Sequence, residues 1–297
     1  MDLVATLIAA PAEPAVDTAA IAAAHRLVPH ADLAVLADNV AVDLAFVDSS
    51  SDGARVWQER LRAALEGRPI DVVVQAPLAR RKKLLIADMD STLIGQECID
   101  ELADELGLKP KIAAITERAM RGEIDFEPAL KERVGLLKGL PESVIDKVLA
   151  ERITLTPGAR ALVQTMKANG AYAALVSGGF TAFTGAVRER LGMDEDRSNT
   201  LHVSDGLLAG TVGEPILGRD AKRSRLEELI AERGIARADT LAVGDGANDL
   251  AMLDGAGLGI AFHAKPKVAE AADARIDHGD LTALLYLQGY AQDAIVE

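Results

Sequence analysis

The sequence predicts an α/β protein in which a parallel-sheet core carries a helical insertion and follows a smaller α+β unit of ferredoxin-like order. Three observations point there. Apolar residues make up 49% of the 297 residues while aromatics are only 3%, a balance that suits helices and strands covered on both faces. The runs LLIAD, AYAALVS and LAVGD are short and apolar, and each ends in a polar or acidic residue, as strands of a buried parallel sheet do when their carboxyl ends carry function. The first 80 residues instead alternate in the order β, α, β, β, α, β.

In that first unit a strand is expected over Leu3 to Ala9, a helix over Thr18 to Leu27, and strands within ADLAVLADNVAVDLAFV. A second helix near Ala54 to Leu65 and a strand from Ile70 to Gln75 complete it. The basic cluster Arg80, Arg81, Lys82, Lys83 marks the boundary and reads as an exposed linker, dividing the chain into 1–80 and 81–297. Between LLIAD and AYAALVS, about seventy residues read as helix, including ECIDELADELG, PKIAAITERAMRG and FEPALKERVGLLKG. That is too long for one crossover, so the segment at about 94–155 is expected to form a cap over the strand ends. NTLHVSDGLLAGTVGEPI reads as a hairpin with Asp205 and Gly206 at its turn.

Charge and cysteine content narrow the function. The formal net charge of -14 removes the electrostatic attraction that dominates non-specific nucleic-acid binding, so no nucleic-acid partner is expected. Phosphorylated small molecules stay open, because a few basic groups, a metal or helix N-termini suffice to bind them. The single cysteine, Cys98, cannot form an intrachain disulfide, which suits the cytoplasm. Asp2 stands where a signal peptide needs positive charge. No apolar run reaches the roughly 18 residues of a membrane span, so no membrane partner is expected.

Three segments carry chemistry. Asp88-Met89-Asp90-Ser91-Thr92 sets two carboxylates two residues apart where a strand runs out. One can attack phosphorus, and the other can protonate a leaving alcohol and then activate water. Taken alone, Asp-x-Asp is more often a helix N-cap or turn. Ser177-Gly178-Gly179 ends the second strand, offering a hydroxyl and close-approaching amides to an anion, or simply a tight turn. Gly244-Asp245-Gly246-Ala247-Asn248-Asp249 follows the third. Asp245 and Asp249 suit a hard cation such as Mg²⁺, which favours a few carboxylates plus phosphate and water, and Asn248 could reach a phosphate oxygen; alone, the segment equally fits a polar loop with an N-cap. Lys222, near the start of AKRSRLEELIAERG, could offset phosphate charge, although a lone lysine usually lies on the surface.

In this order, the pieces DMDSTLIGQECIDELA, FEPALKERVGLLKGL, LVSGGF and VGDGANDLAML resemble the haloacid dehalogenase superfamily, and within it the phosphatases acting on phosphoserine, from about Leu84 to the end. The resemblance implies a doubly wound, Rossmann-like core and Mg²⁺-dependent hydrolysis of O-phospho-L-serine through an aspartyl-phosphate, the last step of serine biosynthesis. It implies Asp88 as nucleophile and metal ligand, Asp90 as acid/base contributing its backbone carbonyl to the metal, and Asp245 as the remaining metal carboxylate. Ser177, the Gly178 amide, Lys222 and Asn248 would hold phosphoryl oxygens, with Asp249 and Gly179 in support. In the cap, Glu97 would meet the substrate ammonium and Arg133 its carboxylate, while Met120 and Phe126 would close over it. By themselves Glu97 and Arg133 read as solvated helix-face charges and Met120 and Phe126 as ordinary core residues.

Longer members of the superfamily often carry an ACT-like regulatory domain, and residues 1–80 are compatible with one. Their first strand-to-helix loop, PAEPAVD, lacks the glycine usual for amino-acid binding there, so a part in packing or in a homodimer is an equal expectation. Two other functions use the same residues: phosphoryl transfer to an alcohol instead of water, and regulatory amino-acid binding without turnover.

Overall fold

The computed structural model describes residues 1–120 and 123–296, the side chains of residues 119 and 120 excepted. The chain begins with β1 (Asp2–Ile8), α1 (Thr18–His25), β2 (Asp32–Ala37), β3 (Ala41–Val47), α2 (Gly53–Ala64) and β4 (Asp71–Gln75). Its four strands pair antiparallel in the order β2-β3-β1-β4, the ferredoxin-like arrangement. Asp17 caps α1 by accepting the Ala20 N–H at 2.7 Å, as an N-cap carboxylate does. Leu3, Ala5 and Leu7 point to one face, into a core with Ala20, Ala24 and Leu61 from the two helices. The alternate residue Ile8 joins the main core instead, because the other face of the sheet lies against the second unit.

That unit starts at β5 (Leu84–Ala87). A helical cap follows, whose described residues form α3 (Cys98–Asp104), α4 (Lys109–Met120), α5 (Phe126–Gly135) and α6 (Ser143–Glu151). The cap leaves and rejoins the core through a neck where Ile94 bridges Leu155 and the Thr156 N–H donates to the Leu93 carbonyl at 3.0 Å. Next come α7 (Ala159–Ala168), β6 (Tyr172–Phe180), α8 (Thr181–Leu191) and β7 (Glu195–Asn199). A hairpin of β8 (Leu201–Ser204) and β9 (Leu207–Val212) turns at Asp205 and Gly206, with φ of 54° and 74°, and joins the cap through Gly139 N–H to Leu208 O at 2.9 Å. The chain ends with α9 (Arg219–Arg233), β10 (Thr240–Gly244), α10 (Leu250–Gly255), β11 (Leu258–Phe262), α11 (Pro266–Ala271), β12 (Ala274–Ile276) and α12 (Ala283–Leu287).

The six core strands are parallel, in the order β12-β11-β10-β5-β6-β7. From β5 the chain winds outward to β6 and β7, then restarts on the other side at β10. This reversal opens a crevice at the carboxyl ends of β5 and β10, where open α/β sheets bind ligands. Both faces are covered: Leu85 and Ala87 of β5 enter one core cluster, Leu84 and Ile86 the opposite one.

Two expectations need correction. The basic cluster is not an exposed linker throughout. Arg80 forks onto Asp43 at 2.9 and 3.0 Å and reaches Thr6 Oγ1 at 3.2 Å and the Leu287 carbonyl at 3.1 Å. Lys82 is 8% exposed, with Nζ donating to the Ala238 carbonyl at 2.7 Å. Each of these two charges is spent on a partner distant in sequence, and only Arg81 and Lys83 stay exposed. Second, β6 does not end at Ser177 but runs through Gly178 and Gly179 to Phe180, because Phe180 pairs with Asn199 of β7 after a register shift.

Candidate active site

Asp88 follows β5 directly, and its N–H still donates to the Val243 carbonyl of β10 at 3.0 Å, so the sheet itself fixes the residue. It is 4% exposed, and its Oδ1 accepts the Met89 N–H at 2.7 Å. The chain then turns tightly through Met89–Leu93, with Ser91 in the left-handed region at φ 54°. That turn brings Asp90 back to the same crevice. Asp90 Oδ1 accepts the Cys98 N–H at the start of α3 at 2.9 Å, and its Oδ2 lies 3.5 Å from Ser177 Oγ.

Lys222, on the first turns of α9, is 1% exposed, so it is no surface lysine. Its Nζ lies 2.7 Å from Asp88 Oδ2 and 2.6 Å from Asp249 Oδ1. Burial pulls its pKa down, but Asp249 and Asp88 outweigh burial and hold it well above the usual lysine range. Asp249 is fully buried and also accepts the Gly246 N–H at 3.0 Å. Burial first, and then Asp88, push its carboxyl to about 6 against the pull of Lys222. Asp245, just after β10, is pushed to about 7 by burial and by Asp88, Asp249 and Glu97. Asp90 also rises to about 7, through burial and then the charge of Glu97. Among the described residues, Asp88, Asp245 and Asp249 each present one carboxylate oxygen, all within 4.8 Å of one another. Asp88 and Asp249 are buried and Asp245 half-buried, and burial with the neighbouring carboxylates raises the pKa of Asp245 and Asp249; a hard cation would relieve this, so the cluster fits a metal. The carboxylate of Asp249, rather than that of Asp90, completes the group.

The glycines matter where side chains close in. A Cβ on Gly179 would lie 2.9 Å from Asp90 Oδ2, and one on Gly178 would lie 3.2 Å from Phe126 Cζ. The Gly179 N–H donates to Ser177 Oγ at 2.9 Å, and Ser177 is 1% exposed. Phe126, opening α5, also packs over Gly218, so the cap touches the core on both sides of the crevice mouth. Asn248 is half-buried, its Oδ1 lying over Gly246.

From the cap, Glu97 precedes α3 and accepts the Ser91 hydroxyl at 2.7 Å. Although Glu97 keeps open surface, desolvation of its carboxyl raises its pKa, with Asp88 adding to this against the Ser91 bond. Arg133 on α5 donates to Thr116 Oγ1 at 3.3 Å and to the Ala129 carbonyl at 3.2 Å. Burial lowers its pKa, while Glu97, Asp100 and Asp90 pull it back up. The cap thus faces the crevice with one acid and one guanidinium. Met120 closes α4, and its side chain lies outside the described residues. Sequence reasoning missed Ser91 and Thr116, which hold the two cap charges, and Thr92, whose Oγ1 lies 3.4 Å from Asp245 Oδ1. The hydroxyls beside Asp90 were a visible signal for Ser91 and Thr92; nothing local marked Thr116.

An aspartate pair at the switch point of a parallel sheet, a lysine buried between carboxylates and a helical cap over them define a class of hydrolase. The model of the haloacid dehalogenase-like hydrolases matches residues 85–254. The chain belongs to that family, and within it to the phosphoserine phosphatases. A phosphoserine phosphatase of Polaromonas sp. is 50% identical over 210 residues, 69% of this chain and 89% of that one. Another, of Streptomyces coelicolor, is 46% identical over 233 residues, 78% of this chain, and the match spans only 57% of the relative's length. Among solved structures, a HAD family hydrolase of Salmonella enterica serovar Typhi superposes with a TM-score of 0.85 at 32% identity, covering 96% of this chain and 98% of that one. A phospho-aspartyl intermediate analogue of a phosphoserine phosphatase is 44% identical, with a TM-score of 0.65, covering 69% of this chain and 98% of that one.

Proposed function

We propose that the chain hydrolyses O-phospho-L-serine to serine and phosphate, the last step of serine biosynthesis, with Asp88 as the nucleophile. The observation that carries this reading is the pairing of two unlike carboxyls on one turn. Asp88 is ion-paired to Lys222 at 2.7 Å, whereas Asp90, two residues on, has its carboxyl pushed to about 7. One carboxylate thereby has a fixed cation beside it, and the other can still hold a proton near neutrality.

Asp88 attacks phosphorus while protonated Asp90 donates to the departing serine oxygen, leaving an acyl-phosphate on Asp88. Asp90, now a base, takes a proton from the water that attacks this phosphorus, and Asp88 is released. Lys222 provides a fixed positive charge beside the phosphoryl oxygens, and the Ser177 hydroxyl with the Gly178 amide orients them. Asn248 is assigned to the same oxygens. Mg²⁺ held by Asp88, Asp245 and the Asp90 carbonyl, with Asp249 in support, would stabilise charge on the transferring group. Glu97 takes the substrate ammonium and Arg133 its carboxylate, a zwitterion being best read by one acid and one planar guanidinium; Met120 and Phe126 close over the two. The buried, unpaired thiol of Cys98 needs no oxidising surroundings, which favours the cytoplasm. No described helix is long and apolar enough to cross a membrane.

The test is phosphate release from L-phosphoserine with and without Mg²⁺, alongside phosphothreonine, a sugar phosphate and p-nitrophenyl phosphate. A Mg²⁺-dependent preference for phosphoserine is expected, and Asp88→Asn should be folded and inactive. A folded Asp88→Asn variant that still turns over would overturn the nucleophile assignment. Equal rates on all four esters would remove Glu97 and Arg133 as readers of the substrate.

A further inference from the structure

The end of β6 that faces the crevice leaves the regular sheet. The β6–β7 ladder pairs Val176 with Arg197 and next Phe180 with Asn199, so Ser177, Gly178 and Gly179 bulge against the single residue Ser198. Residues bulged out of a ladder lose the strand partners of their backbone groups and need others. The side chain of Asn199 supplies one. Its Nδ2 donates to the Gly178 carbonyl at 2.9 Å and to the Leu217 carbonyl at 3.3 Å, and its Oδ1 accepts the Leu217 N–H at 2.7 Å. Asn199 is 3% exposed, and this pattern of two acceptors and one donor around it fits the carboxamide in one orientation only.

Leu217 stands at the end of an excursion from the core. Residues 200–216 leave to form the β8–β9 hairpin, a two-stranded sheet of its own, and then return. The hairpin is bonded to the cap: the Gly139 N–H donates to the Leu208 carbonyl at 2.9 Å, the Leu208 N–H to the Leu140 carbonyl at 2.8 Å, and the Glu142 N–H to the Gly206 carbonyl at 2.9 Å. A displacement of the cap therefore pulls on this excursion. Its two flanking residues are Asn199 and Leu217, which the carboxamide joins in both directions. Gly218, next along the chain, is the N-cap of α9, the helix that carries Lys222.

We infer that Asn199 is a positioning residue for the phosphoryl pocket. It ties the Ser177–Gly178 bulge to the start of α9, so that the Gly178 amide and the Lys222 ammonium, which come from different elements, keep one separation when the hairpin follows the cap. Donors to a transferring group are effective only when they converge on one position, and a misplacement of about 1 Å can cost about a hundredfold. The inference deepens the proposed function and rests on its assignment of Ser177, Gly178 and Lys222 to the phosphoryl oxygens; Asn199 acts through those groups.

The experiment compares the full chain with Asn199→Leu, which keeps the shape of the side chain and removes its donors and acceptor. With Mg²⁺ and L-phosphoserine, kcat should fall about tenfold to a hundredfold, and inhibition by inorganic phosphate should weaken several-fold, at a temperature where circular dichroism shows the variant folded. Asn199→Gln keeps the amide but shifts it by a methylene; it should show a smaller loss of the same kind and covers the case in which the leucine variant does not fold. In a Ser177→Ala background the loss from either Asn199 variant should shrink, because both changes disturb one pocket. A folded variant with kcat and phosphate inhibition unchanged overturns the inference, and so does a loss that adds in full to that of Ser177→Ala, as a general structural defect would. Ser177→Ala with undiminished kcat would instead remove the pocket assignment itself, and this inference with it.

Discussion

Replacing Lys222 by methionine tests the centre of the site most directly. The ammonium is 1% exposed and lies 2.7 and 2.6 Å from Asp88 and Asp249. Removing one partner of a buried ion pair costs about 3–5 kcal/mol, and here two carboxylates would be left facing each other. They can escape by taking a proton, so the cost should depend on pH. The Asp249 carboxyl already stands at about 6 with Lys222 present, and without the lysine it rises further. Between the unfolded value near 3.8 and that raised folded value, the folded variant holds a proton that the unfolded chain has lost. Stability then falls with rising pH by up to about 1.4 kcal/mol per unit. Urea unfolding in EDTA should show variant and wild type close at pH 5 and separated by about 3 kcal/mol at pH 8. With Mg²⁺ and saturating phosphoserine, loss of the charge beside the phosphoryl oxygens should lower kcat by about 10²–10³. A Lys222→Met protein with wild-type stability at pH 8, or with kcat within tenfold of wild type, would refute the reasoning.

The metal-free wild type should itself weaken as pH rises. Asp90, Asp245 and Asp249 have folded values of about 7, 7 and 6, so protons held only by the folded chain are lost between about pH 4 and 7, and their contribution to stability goes with them. Melting in EDTA from pH 5 to 8 should show this decline, and Mg²⁺ should flatten it; a slope unchanged by Mg²⁺ would count against the cluster as a metal site. Gly179→Ala places a Cβ 2.9 Å from Asp90 Oδ2 and 3.1 Å from Ser177 Oγ, so, if Asp90 is the proposed acid/base, kcat should fall by about tenfold or more through its misplacement, and an undiminished kcat would contradict that proposal. Arg80→Ala leaves Asp43, 7% exposed, without its cation and should cost about 3–5 kcal/mol in urea unfolding. Arg80→Lys should recover only part of this, since lysine cannot fork.

What the sequence revealed, and what it hid, follows from the range of the forces involved. Asp88 and Asp245 were legible because each ends an apolar run, and a strand covered on both faces must stop where a carboxylate begins. Their convergence was legible too, since parallel strands connected by helices bring their carboxyl ends to one edge. Lys222 was only a position in an order, and nothing in AKRSRLEELIAERG distinguishes a lysine that is 1% exposed from its exposed neighbour Arg223. What separates them is the pair of carboxylates waiting at the other side, and those come from Asp88 and Asp249 on different loops. The basic cluster misled for the same reason. Arg80 reads as solvated until Asp43 and Thr6, from β3 and β1, are brought against it. The length of β6 was hidden by its glycines, which locally favour a turn, and was decided by Phe180 pairing with Asn199 on a strand not yet formed when that segment is read alone. Local pattern therefore located the crevice carboxylates, whereas the charges that meet them or clamp the two units are set by partners remote in sequence. It follows that variants at Lys222 and Arg80 should prove less tolerant of conservative exchange than their surface-like surroundings suggest.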